Sequence, residues 1–319
     1  MPAVRGQGGA ARERRLAGAT YGMMVAFSGI WAALVTPLDS RGRVDGGALR
    51  ALVAALAAEG LDGLYVTGST GQWPLLALDE RRQVIAESVR AAGQLPVMAH
   101  VGAMCTQDAC ELARHAAECG AAAVSSAAPA YYRLPEDAVF AHWHAIGAAS
   151  GLPLFVYHLE GLDCITHPLQ YAAQVAALPH AAGLKYTSRD LYTLGLICRA
   201  AAGRLAVFSG ADELLCHAQL CGTVGAIGTF YNVWGRACRR AWQAVAAGNL
   251  ALGQQFMGTF QMAIRQILEA GCYSFLRTAI RVRYGIDVGQ PRPPLAEADR
   301  TWDEQEVRRL LAEVDHAAE

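Results

Sequence analysis

The sequence predicts an α/β protein, a (β/α)8 TIM barrel with a C-terminal helical extension. Eight short runs of β type alternate with amphipathic helical stretches between residues 29 and 228. The runs are apolar throughout, as expected of parallel strands that are buried on both faces. With 53% hydrophobic and 17% charged residues in a chain of 319, the protein can bury the large core that such a barrel requires.

The predicted strands and helices follow one another in β-α units. The strands are Gly29–Thr36, Gly63–Thr67, Pro96–Val101, Ala122–Ser126, Pro153–Tyr157, Gly183–Tyr186, Leu205–Ser209 and Val224–Gly228. The helices between them include Gly46–Ala58, Asp79–Ala92, Gln107–Cys119, Pro135–Ala149 and Leu191–Ala202. Many of these helical stretches are introduced by Asp, Thr or Pro, which are common helix starts. Residues 233–316 predict several more helices, interrupted by the loop 289–294.

These patterns divide the chain into three parts. Residues 27–232 are predicted to form the barrel, and residues 233–319 its last helix and the helical extension. Residues 1–26 are rich in Arg, Ala and Gly and lack the apolar core of a secretory signal. We expect them to be a disordered tail, or the product of an upstream start codon with Met23 or Met24 as the alternative start.

Composition indicates a small-molecule substrate. The formal net charge is -1 and no stripe of Lys and Arg is interleaved with aromatics, so neither nucleic acid nor an anionic membrane is an expected partner. The nine cysteines form no C-x-x-C pair, which argues against a disulfide or zinc framework. Reduced thiols in a cytoplasmic protein are predicted instead, and Cys164 is the one that lies close to the motifs below.

Lys185 is the only lysine in the chain. Lys and Arg together number 27, so arginine has replaced lysine at almost every other basic position. Lysine differs from arginine in that its amine can lose a proton and attack a carbonyl. A coding bias that left one lysine on the surface is the alternative, but Lys185 lies in an apolar, strand-like run where a charged amine is costly to bury. The sequence therefore predicts a Schiff-base lysine.

Polar residues follow the second strand, where the chemistry of a barrel is expected. Ser69 and Thr70 are flanked by glycines in the segment Gly68–Gln72. Their hydroxyls and the backbone N–H groups can hold a small anion such as a carboxylate. An ordinary Gly-rich turn explains the same residues equally well.

Two tyrosines occupy further strand ends. Tyr132 follows strand four and Tyr157 ends strand five. Buried tyrosines are usually core residues with a hydrogen-bonded hydroxyl. A lysine that attacks a ketone needs a proton shuttle, and a phenol beside a cationic imine can serve as one.

Carboxylates follow strand seven. Asp212 and Glu213 come two and three residues after Gly210, and Thr229 follows strand eight. Such carboxylates often cap the next helix. They are equally suited to accept hydrogen bonds from the hydroxyls of a sugar.

Taken together, these motifs resemble the pyruvate-dependent class I aldolases, the family that includes dihydrodipicolinate synthase and N-acetylneuraminate lyase. The resemblance runs from about Ser28 to the C-terminus. Gly63–Gly71 looks like the family's pyruvate-carboxylate loop, Ala99–Gly102 like its third strand and Gly183–Ser188 like its Schiff-base strand. The resemblance implies that Lys185 is the nucleophile.

Details of the sequence are closer to the sialic acid lyases than to the synthases. Where the synthases usually carry an arginine after the strand-five tyrosine, this chain has Leu162. The resemblance implies that substrate contacts are made by Thr187, Gly210, Asp212, Glu213 and Thr229. Departures from the family pattern are Gln72 in place of Glu, Ala130 in place of an aromatic, and Glu160, which adds a carboxylate near the mouth as a further substrate contact.

The resemblance also implies a mechanism. Lys185 would attack C2 of an open-chain 2-keto acid while the Ser69–Thr70 loop holds its carboxylate. Tyr157 would take the proton of the C4 hydroxyl, within a relay of Ser69, Tyr157 and Tyr132. Tyr132 would reach into a neighbouring subunit of a homotetramer. No metal or organic cofactor is implied.

Three functions remain open at this point. The first is an N-acetylneuraminate lyase, or a close sugar-acid aldolase, that forms pyruvate and an aldehyde sugar. The second is another enzyme of the same chemistry, such as a 2-keto-3-deoxy sugar acid aldolase or dehydratase, or an enzyme like dihydrodipicolinate synthase; Glu160 makes this group plausible. The third is a non-catalytic relative that binds keto acids.

Overall fold

Eight parallel strands close into a barrel in the computed structural model, which describes residues 27–161, 165–298 and 301–319. Each strand pairs with the next along the chain, and the first also pairs with the eighth. The strands are β1 (Gly29–Ala33), β2 (Gly63–Val66), β3 (Val97–His100), β4 (Ala123–Ala127), β5 (Leu154–Leu159), β6 (Ala181–Thr187), β7 (Ala206–Ser209) and β8 (Gly225–Gly228). The predicted fold class is confirmed.

Helices surround the barrel, and the first eight each follow the strand of the same number. They are α1 (Gly46–Ala58), α2 (Leu78–Ala92), α3 (Thr106–Glu118), α4 (Glu136–Ser150), α5 (Pro168–Ala177), α6 (Leu191–Ala201), α7 (Leu215–Leu220) and α8 (Tyr231–Ala246). The extension consists of α9 (Leu250–Ala270), α10 (Cys272–Tyr284) and α11 (Glu304–Ala317), and all three helices pack on α8. Within the described ranges, no helix combines the length and the apolar character needed to cross a membrane.

An aromatic layer fills the part of the barrel toward the amino ends of the strands. Trp31 and Phe155 each pack against Phe208, with ring centroids 5.8 and 5.9 Å apart. A Cβ at Gly63 would lie 2.3 Å from the Trp31 ring. The indole therefore fits only because residue 63 is a glycine. Because this layer fills the interior toward the amino ends, the polar side chains of a site are expected at the carboxyl ends of the strands.

The predicted and observed boundaries differ mainly at strand ends. Predicted strand one continues to Thr36, but β1 ends at Ala33. The backbone that follows runs toward the start of α8, where Val35 N donates to Asn232 Oδ1 at 3.3 Å. Conversely, β5 and β6 extend past their predicted ends because Leu159 pairs with Thr187. The eight cysteines within the described residues are free thiols. The predictions for residues 1–26, Leu162 and Cys164 fall outside the described residues.

Candidate active site

Lys185 lies inside the barrel near the carboxyl end of β6. Its side chain is 4% exposed, and Nζ sits 4.4 Å from the ring centroid of Tyr65 and 4.5 Å from that of Tyr157. No carboxylate of the described residues forms an ion pair with it. The amine therefore faces two aromatic rings, a setting that also stabilises a cation formed on that nitrogen.

Tyr157 is placed beside this lysine by the pairing of β5 with β6. Tyr157 and Lys185 are direct register partners in the two strands. The Tyr157 hydroxyl lies 3.4 Å from Ser69 Oγ, so three of the predicted site residues come together at one point of the mouth.

The loop after β2 carries Ser69 and Thr70 and is held in place by its neighbours. Ser69 O accepts a hydrogen bond of 3.1 Å from the Tyr273 hydroxyl, and Thr70 Oγ1 lies 2.7 Å from Thr229 Oγ1. Gln72, which departs from the family pattern, has a left-handed backbone and accepts from the Arg292 backbone N–H at 2.8 Å. The extension thus fixes this loop, on which Ser69 is exposed at the mouth of the barrel.

Thr187 and Gly210 lie side by side next to the lysine. Within the described residues the buried Thr187 Oγ1 has no hydrogen-bond partner. A Cβ at Gly210 would sit 1.8 Å from that oxygen and 2.9 Å from Lys185 Cε. Glycine at 210 therefore leaves space for the Thr187 hydroxyl and the Lys185 side chain.

Asp212 is buried beneath the loop that follows β8. Its Oδ2 accepts from the Phe230 N–H at 2.7 Å, and burial raises the pKa of its carboxyl to about 7. A Cβ at Gly228 would lie 1.9 Å from Asp212 Oδ1. Asp212 thus does not cap the helix that follows β7. It holds the turn before α8 instead, and the same bond fixes the neighbouring Thr229.

Charged groups form the rim of the mouth. Arg189 Nε donates to Glu213 Oε1 at 3.2 Å, and the Arg189 backbone N–H donates to Glu160 Oε2 at 3.3 Å. Gln261 of α9 donates to the Glu213 carbonyl at 2.7 Å. The two predicted rim carboxylates are therefore linked through one arginine that the sequence did not single out for a role.

Known proteins share both the sequence and the fold of this chain. A family model described as the dihydrodipicolinate synthetase family matches residues 26–314. The chain belongs to that family. It is 34% identical to the N-acetylneuraminate lyase of Salmonella agona over 282 residues, which cover 88% of this chain and 95% of that protein. The Salmonella typhimurium lyase is 33% identical with the same coverage.

Solved structures give the same assignment of fold. The N-acetylneuraminate lyase of Proteus mirabilis superposes with a TM-score of 0.81 at 28% identity, over 91% of this chain and 98% of the other. The wild-type sialic acid aldolase of Ruminococcus gnavus gives 0.85 at 24% identity, over 92% and 98%. As a member of the dihydrodipicolinate synthetase family the chain is an enzyme, a carbon–carbon lyase, as predicted.

Tyr132 stands apart from the other predicted members of the relay. It is 72% exposed on the loop after β4, and its ring packs edge-on against Tyr131 with centroids 5.0 Å apart. No hydrogen bond joins it to Ser69 or Tyr157 within this chain. Its role, which the family resemblance assigns to a neighbouring subunit, stays a prediction.

Two buried residues near the lysine were missed as site residues, although both lie in the motifs that carry the family resemblance. The Tyr65 hydroxyl lies 3.1 Å from Ser125 Oγ, and burial raises the pKa of Tyr65 well above its usual value. The His100 ring lies 5.9 Å from the Tyr157 ring. Alternation along the strands could have indicated that Tyr65 points inward, but not which side chains it meets.

Among the described residues no three His, Cys, Asp or Glu side chains are grouped as metal ligands would be.

Proposed function

We propose that this enzyme reversibly cleaves a 2-keto sugar acid, N-acetylneuraminate, to pyruvate and N-acetylmannosamine through a Schiff base on Lys185. The observation that carries the proposal is the buried lysine without a carboxylate partner, which lies against the Tyr65 and Tyr157 rings. The names of the relatives support the choice of sugar.

The first step forms the covalent intermediate. Neutral Lys185 Nζ attacks C2 of the open-chain acid, the carbonyl oxygen takes up protons and leaves as water, and a cationic iminium remains. The substrate carboxylate lies against the hydroxyls and N–H groups of the Ser69–Thr70 loop. The aromatic rings beside Nζ stabilise the positive charge.

The second step breaks the bond. Tyr157, left as a phenolate after giving its own proton to the water that departs in the first step, takes the proton of the C4 hydroxyl. The C3–C4 electron pair moves toward the iminium nitrogen, and the aldehyde leaves. The resulting enamine is protonated at C3 and hydrolysed by water to pyruvate, which restores the amine. Ser69 Oγ at 3.4 Å from the Tyr157 hydroxyl continues the relay, to which Tyr132 of a neighbouring subunit belongs.

Thr187, Gly210, Asp212, Glu213, Thr229 and Glu160 would surround the sugar part of the substrate. The chemistry uses neither a metal nor an organic cofactor. We further propose that the enzyme works as a homotetramer in the cytoplasm, on a small-molecule substrate alone.

The decisive experiment is reductive trapping. Wild-type protein is treated with borohydride in the presence of pyruvate, digested and analysed by mass spectrometry. We expect a single adduct at Lys185, with the α-amino terminus as the only competing amine. Lys185→Arg is the matched control, because it keeps the charge but cannot form the imine. Wild-type protein without an adduct at Lys185 would exclude the aldolase and favour a non-catalytic keto-acid binder.

A second candidate substrate class is favoured by Glu160, whose carboxylate is held on the rim by Arg189. Such a charged rim also suits a shorter 2-keto-3-deoxy sugar acid, which the enzyme would cleave or dehydrate. Pyruvate release from a panel of keto sugar acids separates the two. Consumption of a deoxygluconate with sialic acid left intact would replace the first substrate by the second.

A further inference from the structure

His100, the last residue of β3, is fully buried and takes part in four hydrogen bonds through its carbonyl and its ring. Its carbonyl accepts from Thr67 Oγ1 at 2.7 Å and from Arg81 Nη2 at 2.8 Å. Its ring Nδ1 lies 3.0 Å from Thr67 O, and its Nε2 accepts from the Ala127 N–H at 3.3 Å. The imidazole therefore joins the backbone at the end of β2 to the backbone at the end of β4.

These partners determine the protonation state of the ring. Thr67 O can only accept, so Nδ1 carries a proton; the Ala127 N–H can only donate, so Nε2 carries none. Burial lowers the pKa of His100 well below its usual value, and the positive charges of Arg81 and Lys185 lower it further. The neutral ring and both of its hydrogen bonds consequently persist at physiological pH.

His100 and its hydrogen-bond partners contact each part of the mouth that carries a predicted relay residue. Thr67, two residues before Ser69, has a φ of 54°, a strained value for a β-branched residue that the surrounding bonds must hold. Ala127 leads into the loop that bears Tyr132. The His100 ring also meets the Tyr157 ring edge-on, at an interplanar angle of 86°.

We infer that His100 is a positioning residue for the cleavage, whose ring holds the Ser69 loop and the Tyr157 ring in their working arrangement. The inference rests on the proposed function, because it gives His100 a part in that reaction. His100 itself exchanges no proton with the substrate. Imidazole suits the position because it donates and accepts from opposite edges of one rigid ring.

The test compares two substitutions at His100 with a buried histidine elsewhere. His100→Phe keeps a planar ring and removes both ring hydrogen bonds, and we expect kcat to fall about 10- to 100-fold, the cost of displacing reacting groups by about 1 Å. His100→Gln can both donate and accept, so it should recover most of that loss. His142, buried in α4 with Nδ1 2.9 Å from Thr106 Oγ1, is the control. His142→Phe should lower thermal stability and leave kcat and KM unchanged.

Three outcomes would overturn the inference: wild-type kcat in His100→Phe, a His100→Gln enzyme no faster than His100→Phe, or an equal loss of kcat in His142→Phe. If His100→Phe does not fold, His100→Asn replaces it. That variant keeps a donor and an acceptor but is too short to reach both Thr67 O and the Ala127 N–H, so kcat should fall below that of His100→Gln, and a wild-type kcat would overturn the inference. Reductive trapping separates the two proposals, since wild-type protein that traps no pyruvate refutes the proposed function first.

Discussion

Individual side chains at the mouth divide into a buried group around Lys185 and an exposed rim. The apolar neighbours of Lys185 predicted that it is buried, which the structure shows, whereas its role as nucleophile, inferred from its scarcity, stays a prediction. The prediction that Ser69 and Tyr157 lie beside it needed only the rule that strand ends share one face of a barrel. The contacts of His100 and Tyr65 depend on the register between strands, which single-chain patterns do not contain.

Removing the rim arginine should separate binding from stability. Arg189→Ala deletes an ion pair whose arginine is 77% exposed, and such pairs contribute about 0–1 kcal/mol. The free energy of unfolding should therefore change little. Because Glu213 loses the donor that orients it, we expect KM for the keto sugar acid to rise about threefold to tenfold, measured by steady-state kinetics.

Arg309→Ala is the matched control for the rim. Arg309 pairs with Glu313 at 2.6 Å on α11 and is 52% exposed, but it lies on the helical extension and makes no rim contact. KM should stay at the wild-type value in this variant. Equal KM changes in the two variants would show that the rim pair has no specific part in binding.

At the scale of elements, helices were predicted more accurately than strands. Helix α1 begins and ends where predicted, because Asp45 caps it by accepting from the Gly47 and Ala48 N–H groups, and such a cap is readable from sequence. Strand ends depend on neighbours instead. The extra residue pairs between β5 and β6 were not predicted, since they depend on the partner strand and not on local propensity.

Close packing between β6 and β7 gives a test of this region. Gly210→Ala would force a Cβ to within 1.8 Å of Thr187 Oγ1, and such overpacking typically costs about 1–3 kcal/mol. We expect a lower free energy of unfolding in urea together with a lower kcat, because Thr187 and Lys185 must shift.

Gly195→Ala, in α6, provides the contrast. Its Cβ would meet no atom within 4 Å, so the helix should gain about 0.5–1 kcal/mol with kcat unchanged. If Gly210→Ala behaved in the same way, the clearance beside Thr187 would have no role in the site.

In the molecule as a whole, the helical extension supports the barrel's functional face. Tyr273 of α10 reaches the Ser69 carbonyl, and Arg292 binds both Gln72 and the Glu80 carboxylate at the start of α2. The sequence predicted the extension from its helical periodicity. Its contacts with the Ser69 loop could not be foreseen, because they join residues about two hundred positions apart.

Global stability should depend on pH through Asp212. Burial raises its carboxyl pKa from the usual 3.8 to about 7, so between these values the folded chain keeps a proton that the unfolded chain releases. The contribution of this group is complete below about pH 4 and is lost as the pH rises toward 7.

Asp212→Asn removes this titration while keeping an oxygen that can accept from Phe230. Its free energy of unfolding should rise relative to wild type across that range, by up to about 1.4 kcal/mol per pH unit, and level off above pH 7. Urea unfolding at several pH values measures the difference. Parallel pH profiles for the two proteins would show that Asp212 titrates at its normal value.

A single lysine packed against two aromatic rings also makes this enzyme well suited to spectroscopy. Protein grown on isotopically labelled lysine would give one side-chain signal in a magnetic resonance spectrum, displaced by the ring currents of Tyr65 and Tyr157. Conversion of the amine to an imine would move that signal alone. Every turnover intermediate could then be followed at its own nitrogen, in a chain that requires no engineering to remove competing labels.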